Sequence, residues 1–398
     1  MRSMISNEQI IYLDNNATTQ LDPAVLEEML PFLTHYYGNP SSGYAFGAQV
    51  RRAIDLARER VAALLGCEPV EIIFTSCGTE SNNAAVNSAL QLDRTRQHVV
   101  TTAVEHSATW RHCEALSKKG CSVTVVGVDT EGNLDLDELE NAITPQTAIV
   151  SVMWANNETG VLFPVEKIAE IARRKRVLFH TDAIQTVGKI PVRLADSTIN
   201  SLSLSAHKLH GPKGVGALYV NRRSAFKPSL IGGSQENNRR AGTENAASIV
   251  ALGKAAECAA GALAEEGTRV RAMRDRFEKT MLEKVPDTFV NGDPKTRLPN
   301  TSNLSFVGID SGAALMMLDR HQLCCSAGSA CRTGAIESSH VLRAMKVNDD
   351  LARGSMRFSF GRFNTEGHVD RALEIIPAVI ARLRELSPAK AVRETAVA

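Results

Sequence analysis

Several things are scarce or missing in this chain. Its eight cysteines form no C-x-x-C pair and have no histidine partner at zinc-finger spacing, so neither a dithiol redox motif nor a zinc module is expected. An excess of charge of either sign is also missing. The formal net charge of +1 gives no electrostatic reason to expect nucleic acid or an anionic membrane as a partner. No apolar run approaches bilayer-spanning length, and Met1 to Gln9 is polar, without the apolar stretch an export signal needs. These absences predict a cytoplasmic protein that touches neither nucleic acid nor membrane directly. In that compartment disulfides are not expected. Most of the cysteines (67, 77, 113, 121, 258, 324 and 325) therefore read as small buried hydrophobes.

What is present is an alternation. Short apolar runs at Ile72–Phe74, Val99–Thr102, Val123–Val126, Ile149–Met153, Val177–His180, Ile199–Leu204 and Val215–Val220 are separated by helix-like stretches. That pattern predicts an α/β fold, with a mostly parallel sheet covered by helices. Asp22-Pro23 signals a helix start, Gly66 a helix end, and Pro164 a first turn. With 398 residues, 43% hydrophobic and 22% charged, the chain suits two to three domain-sized units of a globular protein. From about Gly261 the texture changes. A charged helix over Glu265 to Lys284 leads into fewer strands, including Thr301–Phe306 and Ser355–Ser359, which predicts a smaller α+β domain. Residues 388–398 have nothing to bury and are expected to be disordered.

Chemistry-bearing residues recur after the strands. Ser205-Ala206-His207-Lys208 follows one, and a lysine there can project into a cleft at the carboxyl edge of the sheet, lose its proton and form a Schiff base. By itself the segment favours the plainer reading, a surface lysine in a glycine-rich turn. Asp182, in Asp182-Ala183-Ile184-Gln185, is either a carboxylate for a pyridine nitrogen or a turn residue. Thr75 to Glu80, with Gly78 and Thr79, is either an anion site for a phosphate or a capping turn. His106 could stack on a cofactor ring or exchange protons, and Asn157 could bond a phenolic oxygen. Separately each signal is weak. Their order, each at a strand's carboxyl end, is the contact set of pyridoxal 5'-phosphate (PLP).

With Tyr12 to Thr19, Gly38 to Ser42, Ala155 to Gly160, Arg239 to Asn245 and Ser326 to Cys331 added, the chain resembles the cysteine desulfurases of the nitrogen-fixation and housekeeping iron–sulfur type. These are class V aminotransferase-like PLP enzymes of fold type I. The resemblance runs to about Ser387 and implies a large PLP-binding domain over 15–262. It also implies a small domain from 1–14 and 263–387, which carries a mobile Cys331 loop. It makes Lys208 the Schiff-base lysine and Asp182 the pyridinium partner. Thr79, Ser205 and His207 would bind phosphate, with Thr243 reaching it from the neighbouring subunit of a homodimer. Asn157 and Gln185 would bond the ring oxygen, His106 would stack on the ring, and Arg357 would clamp the substrate carboxylate.

Cys331 lies in Ser326-Ala327-Gly328-Ser329-Ala330-Cys331, a run of small residues that costs little to move. A thiolate there, favoured modestly by Arg332, would take sulfur from L-cysteine as a persulfide and leave alanine. Lys208 would remove the α-proton, and His106 would carry a proton for the thiol. The persulfide would pass to an iron–sulfur scaffold or another acceptor protein. No fixed metal site is expected, only transient delivery of sulfur to a nascent cluster. Two other readings stay open at this point. One is a different PLP lyase of the same fold, such as a selenocysteine lyase. The other is a non-enzymatic scaffold that docks iron–sulfur assembly partners. Cys324 and Cys325 are read as inert strand residues, with persulfide relay as the alternative.

Overall fold

The computed structural model describes residues 10–327, 329–332 and 335–386, the stretches 329–332 and 335–338 by their backbone alone. After a short strand, β1 (Ile11–Tyr12), and two helices (Pro23–Thr34 and Ala45–Leu65), the chain enters an alternating region. Asp22 caps the first helix by accepting from the Ala24 amide at 2.7 Å, with Pro23 starting it. Gly66 ends the second in the left-handed conformation, φ 62°, as its sequence position predicts.

The alternating region supplies β2 (Ile72–Thr75), β3 (His98–Thr102), β4 (Ser122–Val126), β5 (Thr147–Ser151), β6 (Leu178–Asp182), β7 (Ser201–Ser205) and β8 (Gly216–Val220). All seven expected strands form, each within two residues of its expected bounds, and they join one seven-stranded sheet in the order β2-β8-β7-β6-β5-β3-β4. Neighbours from β7 to β4 pair in parallel, and β8 runs against both β7 and β2. Every strand but β8 therefore points its carboxyl end to one edge. Most of these strands are buried on both faces, which is why their sequences are continuous apolar runs rather than alternating ones.

A second sheet of four strands is formed by β9 (Thr288–Val290), β10 (Thr301–Phe306), β12 (Ser326–Ala327) and β15 (Ser355–Ser359), in the order β12-β15-β10-β9. It is antiparallel throughout. Between its members lie β11 (Leu323–Cys324), paired with β1, and a hairpin of β13 (Ser329–Arg332) with β14 (Ala335–Ser338). Ile11 and Leu13 join Phe277, Phe306, Phe358 and Phe360 in one hydrophobic cluster beside this sheet, separate from the larger cluster around β2–β8. After the hairpin the chain returns to the larger cluster, where Val341, Leu342, Met345 and Ala352 pack.

The change of texture near Gly261 has a different structural basis from the one expected. The charged helix does not begin at Glu265. It continues a helix that starts at Ala246, through a π-helical turn at Glu266–Val270, to Lys284. Its first half buries Ile249, Ala251 and Leu252 in the larger cluster, and its second half buries Met273, Phe277 and Met281 in the smaller one. By length and composition alone this helix could cross a membrane, contrary to the reading of the sequence as free of such runs. Its apolar positions are instead used in the two clusters, which gives it the character of a core helix.

Candidate active site

The shared carboxyl edge of the large sheet opens on a cavity of about 310 Å³, bounded on its far side by Arg357 of β15. Gly78, Thr79, His106, Asn157, Asp182, Gln185, Ser205, His207, Lys208 and Arg357 all line it. Nine of these ten residues meet because the strands that carry them end at one edge, and Arg357, up to 279 positions away in the sequence, closes the cavity from the other sheet.

Lys208 ends a short 3-10 turn, Ala206–Lys208, that follows β7 directly. Its Nζ donates to the carbonyl oxygens of Asn16 and, at 2.7 Å, Ala17. Burial pushes the amine down to about 7, helped by the nearby Lys189 and Arg357 cations and opposed by Asp14 and Asp182. A lysine in that state gives up its proton near neutrality, as a Schiff-base lysine must. Asp182 closes β6 and is 5% exposed. Its Oδ2 accepts from Asn82 Nδ2 at 2.7 Å and its Oδ1 from the Ile184 amide at 3.0 Å, so the carboxylate is held in one orientation.

At the other end of the cavity a helix, Gly78–Leu92, starts after Cys77 without any side-chain cap. Its first amides are therefore left for an outside acceptor, and the helix dipole favours an anion there. Gly78 lets this helix approach the Asp182–Gln185 turn, since a Cβ there would lie 2.0 Å from Ile184 Cδ1 and force that side chain to shift. Thr79 and Ser205 add hydroxyls. His207 is pushed down to about 4 by burial and by Lys208 and Lys213, so it meets an anion as a neutral ring. Its Nδ1 lies 3.2 Å from Thr18 Oγ1.

His106 caps the helix Ser107–Ser117, its Nδ1 accepting from the Ala108 amide at 3.2 Å. That bond fixes the proton of the neutral ring on Nε2. Burial and the Lys208 charge lower its pKa, with Asp182 opposing. Beneath it, Glu105 is fully buried and bridges two strand ends, accepting from Thr102 Oγ1 at 2.8 Å and from the Met153 amide at 2.9 Å. Burial raises its carboxyl to about 8.

Arg357 spans the gap between the two sheets. Nη1 donates to the Asn157 carbonyl at 2.8 Å, and Nη2 donates to Asp14 Oδ1 and Ser326 Oγ, both at 2.8 Å. Its Nε is buried with no partner, an unmet donor on the one cation that lines the far wall. A carboxylate is the acceptor that suits such a guanidinium.

Two further expected residues are not described in this cavity. Thr243 is exposed and lines a separate depression with Ser76 and Gly214. Cys331 falls in β13, with its Cα opposite that of Ile336, and its side chain lies outside the described residues. The run read as a loop is thus in part a two-stranded hairpin, while Gly328, Thr333, Gly334 and the 388–398 segment lie outside the described residues. Cys324 is half-buried in β11, and burial pushes the Cys325 thiol well up, with Asp14 adding to it. Both therefore have little thiolate character. Asp14, Asn16, Asn82 and Lys189 were not singled out by sequence. Asn16 acts at Lys208 through its carbonyl, which no side-chain pattern reveals.

The residues present fit PLP: an uncapped helix start for phosphate, a fixed buried carboxylate for a pyridinium, and a depressed lysine for the aldehyde. The volume lies at the small end of cofactor pockets.

Residues 11–372 match the aminotransferase class-V family. Cysteine desulfurase 2 of Trichormus variabilis is 52% identical over 379 residues, covering 95% of each chain. Cysteine desulfurase NifS of Azotobacter vinelandii is 50% identical over 379 residues, covering 95% of this chain and 94% of that one. The solved structure of a NifS-like protein superposes with a TM-score of 0.88 at 37% identity, covering 94% of this chain and 100% of the other.

Proposed function

The chain belongs to the aminotransferase class-V family, and we propose that it is a cysteine desulfurase with PLP held on Lys208. The observation that carries this reading is the meeting of Lys208, Asp182, His106 and Arg357 in one cavity, each with its orientation fixed by neighbours. When bound, PLP supplies an electron sink that labilises the α-proton of cysteine and opens its sulfur to attack.

The chain's own residues do the rest. Asp182 would keep the pyridine nitrogen protonated, and Asn157 and Gln185 would bond the ring oxygen. Gly78, Thr79, Ser205 and His207 take the phosphate. Arg357 clamps the carboxylate of L-cysteine, and the Lys208 amine takes its α-proton. His106, neutral with its proton on Nε2, moves a proton at the substrate thiol. The Cys331 thiolate would form a new S–S bond to the substrate sulfur as the C–S bond breaks, and the electron pair left on the β-carbon would take up a proton, giving alanine and a persulfide on Cys331.

In this reading residues 15–262 form the cofactor-holding domain, and 1–14 with 263–387 form the smaller one, although Val341, Leu342, Met345 and Ala352 of that stretch pack on the larger core. The enzyme works in the cytoplasm as a homodimer, in which Thr243 completes the partner's phosphate site. Leu26, Leu30 and Leu33 on one helix, together with Tyr36 and Tyr37, are exposed in the single chain and give a second copy an apolar face to cover. The persulfide passes to an iron–sulfur scaffold or a related acceptor protein.

The deciding experiment is a Cys331→Ser variant assayed for alanine and sulfide from L-cysteine, beside its visible spectrum. The expected result is an unchanged cofactor band with desulfuration lost. Wild-type turnover in the variant would remove the persulfide route, and a colourless wild type that PLP cannot restore would remove the cofactor reading.

A further inference from the structure

The wall behind Lys208 contains a second buried lysine that the mechanism above does not use. Lys189 is 6% exposed, and its Nζ donates to the Gln185 carbonyl at 3.0 Å and to Gln185 Oε1 at 3.1 Å. Gly188, with φ +78°, turns the chain so that the lysine folds back over the preceding turn. A Cβ at Gly188 would strike Leu209 Cδ2 at 2.5 Å, so the turn needs glycine. Gln185 also lines the cavity, and its Nε2 donates to the Asn16 carbonyl at 2.9 Å, the same oxygen that accepts from Lys208.

A glutamine amide can present either its oxygen or its NH2 to a neighbour. An ammonium has three donors and no acceptor, so its contact with Gln185 selects the oxygen end. The NH2 end must then face Asn16 and the cavity. One of its two N–H groups goes to the Asn16 carbonyl, and the other remains for an acceptor.

We infer that Lys189 is a positioning residue that locks the Gln185 amide with its NH2 end toward the cavity, so that the ring oxygen of the cofactor meets a donor. The inference rests on the PLP reading above. Without Lys189 only the Asn16 carbonyl still selects the NH2 end, and the amide is less restrained from offering its oxygen, which would repel an ionised phenolic oxygen. The charged and titratable groups around Lys189 are Glu266 on the π-helical turn, Lys208, His207, His210, Arg357 and Arg362.

The test compares wild type, Lys189→Met and Lys189→Gln, each loaded with PLP, by the pH midpoint at which the cofactor's visible absorption changes. Methionine keeps the length without a donor, and glutamine keeps a donor without the charge. Loss of the donor to the ring oxygen makes that oxygen more basic, so the Lys189→Met midpoint should rise by about one pH unit. Lys189→Gln should recover at least half of that rise, and KM for L-cysteine should change less than kcat in both variants.

A Lys189→Met midpoint equal to wild type overturns the inference. A Lys189→Gln midpoint equal to that of the methionine variant also overturns it, because charge alone would then explain the rise. Should Lys189→Met fail to fold, Lys189→Gln decides: a midpoint within a few tenths of a pH unit of wild type is the expected result, and a midpoint about one pH unit higher overturns the role. A wild type with no visible band would mark failure of the PLP reading itself, a different outcome from all of these.

Discussion

The floor and the far wall of the cavity are built differently. The floor stands on strand ends of the seven-stranded sheet: Asp182 is held by Asn82 and Ile184 beside that sheet, and Lys208 reaches out to the backbone of Asn16 and Ala17. The wall comes from the four-stranded sheet. Arg357 sits in the middle of β15, and its contacts straddle the molecule, with Asn157 on one side and Asp14 and Ser326 on the other. Ser326 begins the short strand that leads to the Cys331 hairpin. In the proposed reading, a floor built mainly on one sheet would keep cofactor geometry constant. A wall fixed by two sheets ties substrate alignment to how the smaller cluster sits.

If that division holds, damage to the floor removes chemistry and damage to the wall removes alignment. The largest expected effect is from Lys208→Ala, which should lower alanine production from L-cysteine by about 10³-fold or more and abolish the covalently attached cofactor band. Retention of that band would place the attachment elsewhere.

Arg357→Ala should keep the band and lose roughly 10- to 100-fold in kcat/KM, from the roughly 1.5–3 kcal/mol of a hydrogen bond to a charged group. Loss of cofactor colour in this variant would break the comparison, because the wall would then be holding the floor.

The smallest effect concerns pH and sharpens the comparison. The folded Lys208 amine is lowered to about 7, so it is protonated below that pH and free above it. Uptake of PLP by the cofactor-free protein should accelerate about tenfold per pH unit up to a midpoint near 7, then level off. Arg357 lowers the Lys208 amine, so Arg357→Ala should move the midpoint upward, by less than one unit because burial and Lys189 act more strongly. Rates still climbing at pH 9 in wild type would contradict the depressed amine.

Much of the floor was legible in the sequence because strand ends are. An apolar run followed by Asp182 or by His207-Lys208 announces both the strand and the residue just beyond it. Arg357 was legible through its motif, but its partner Asp14 was not. That ion pair joins residues 343 apart, and neither local pattern mentions the other. Asn16 and Ala17 hold Lys208 through backbone oxygens, which any residue has. The helix boundary near Glu265 was misread because composition changes there without the backbone stopping. The residues become charged where the helix passes from one core to the next.

That junction has a consequence of its own. A π-helical turn holds one residue more than the α-helical spacing would, and each residue of an α-helix advances the facing direction by about 100°. The five residues Glu266–Val270 therefore act as a phase adjuster on a continuous shaft. They set the angle at which Met273 and Phe277 meet the smaller core, given the angle at which Ile249 and Leu252 meet the larger one. Removing one residue from this turn would let it relax to ordinary α-helical spacing with the far half facing nearly as before, whereas removing one from the α-helical stretch on either side would rotate the far half by about 100° away from its own core. The alignment of the Arg357 wall with the Lys208 floor is thus written partly in the count of residues along one helix, far from any reacting atom.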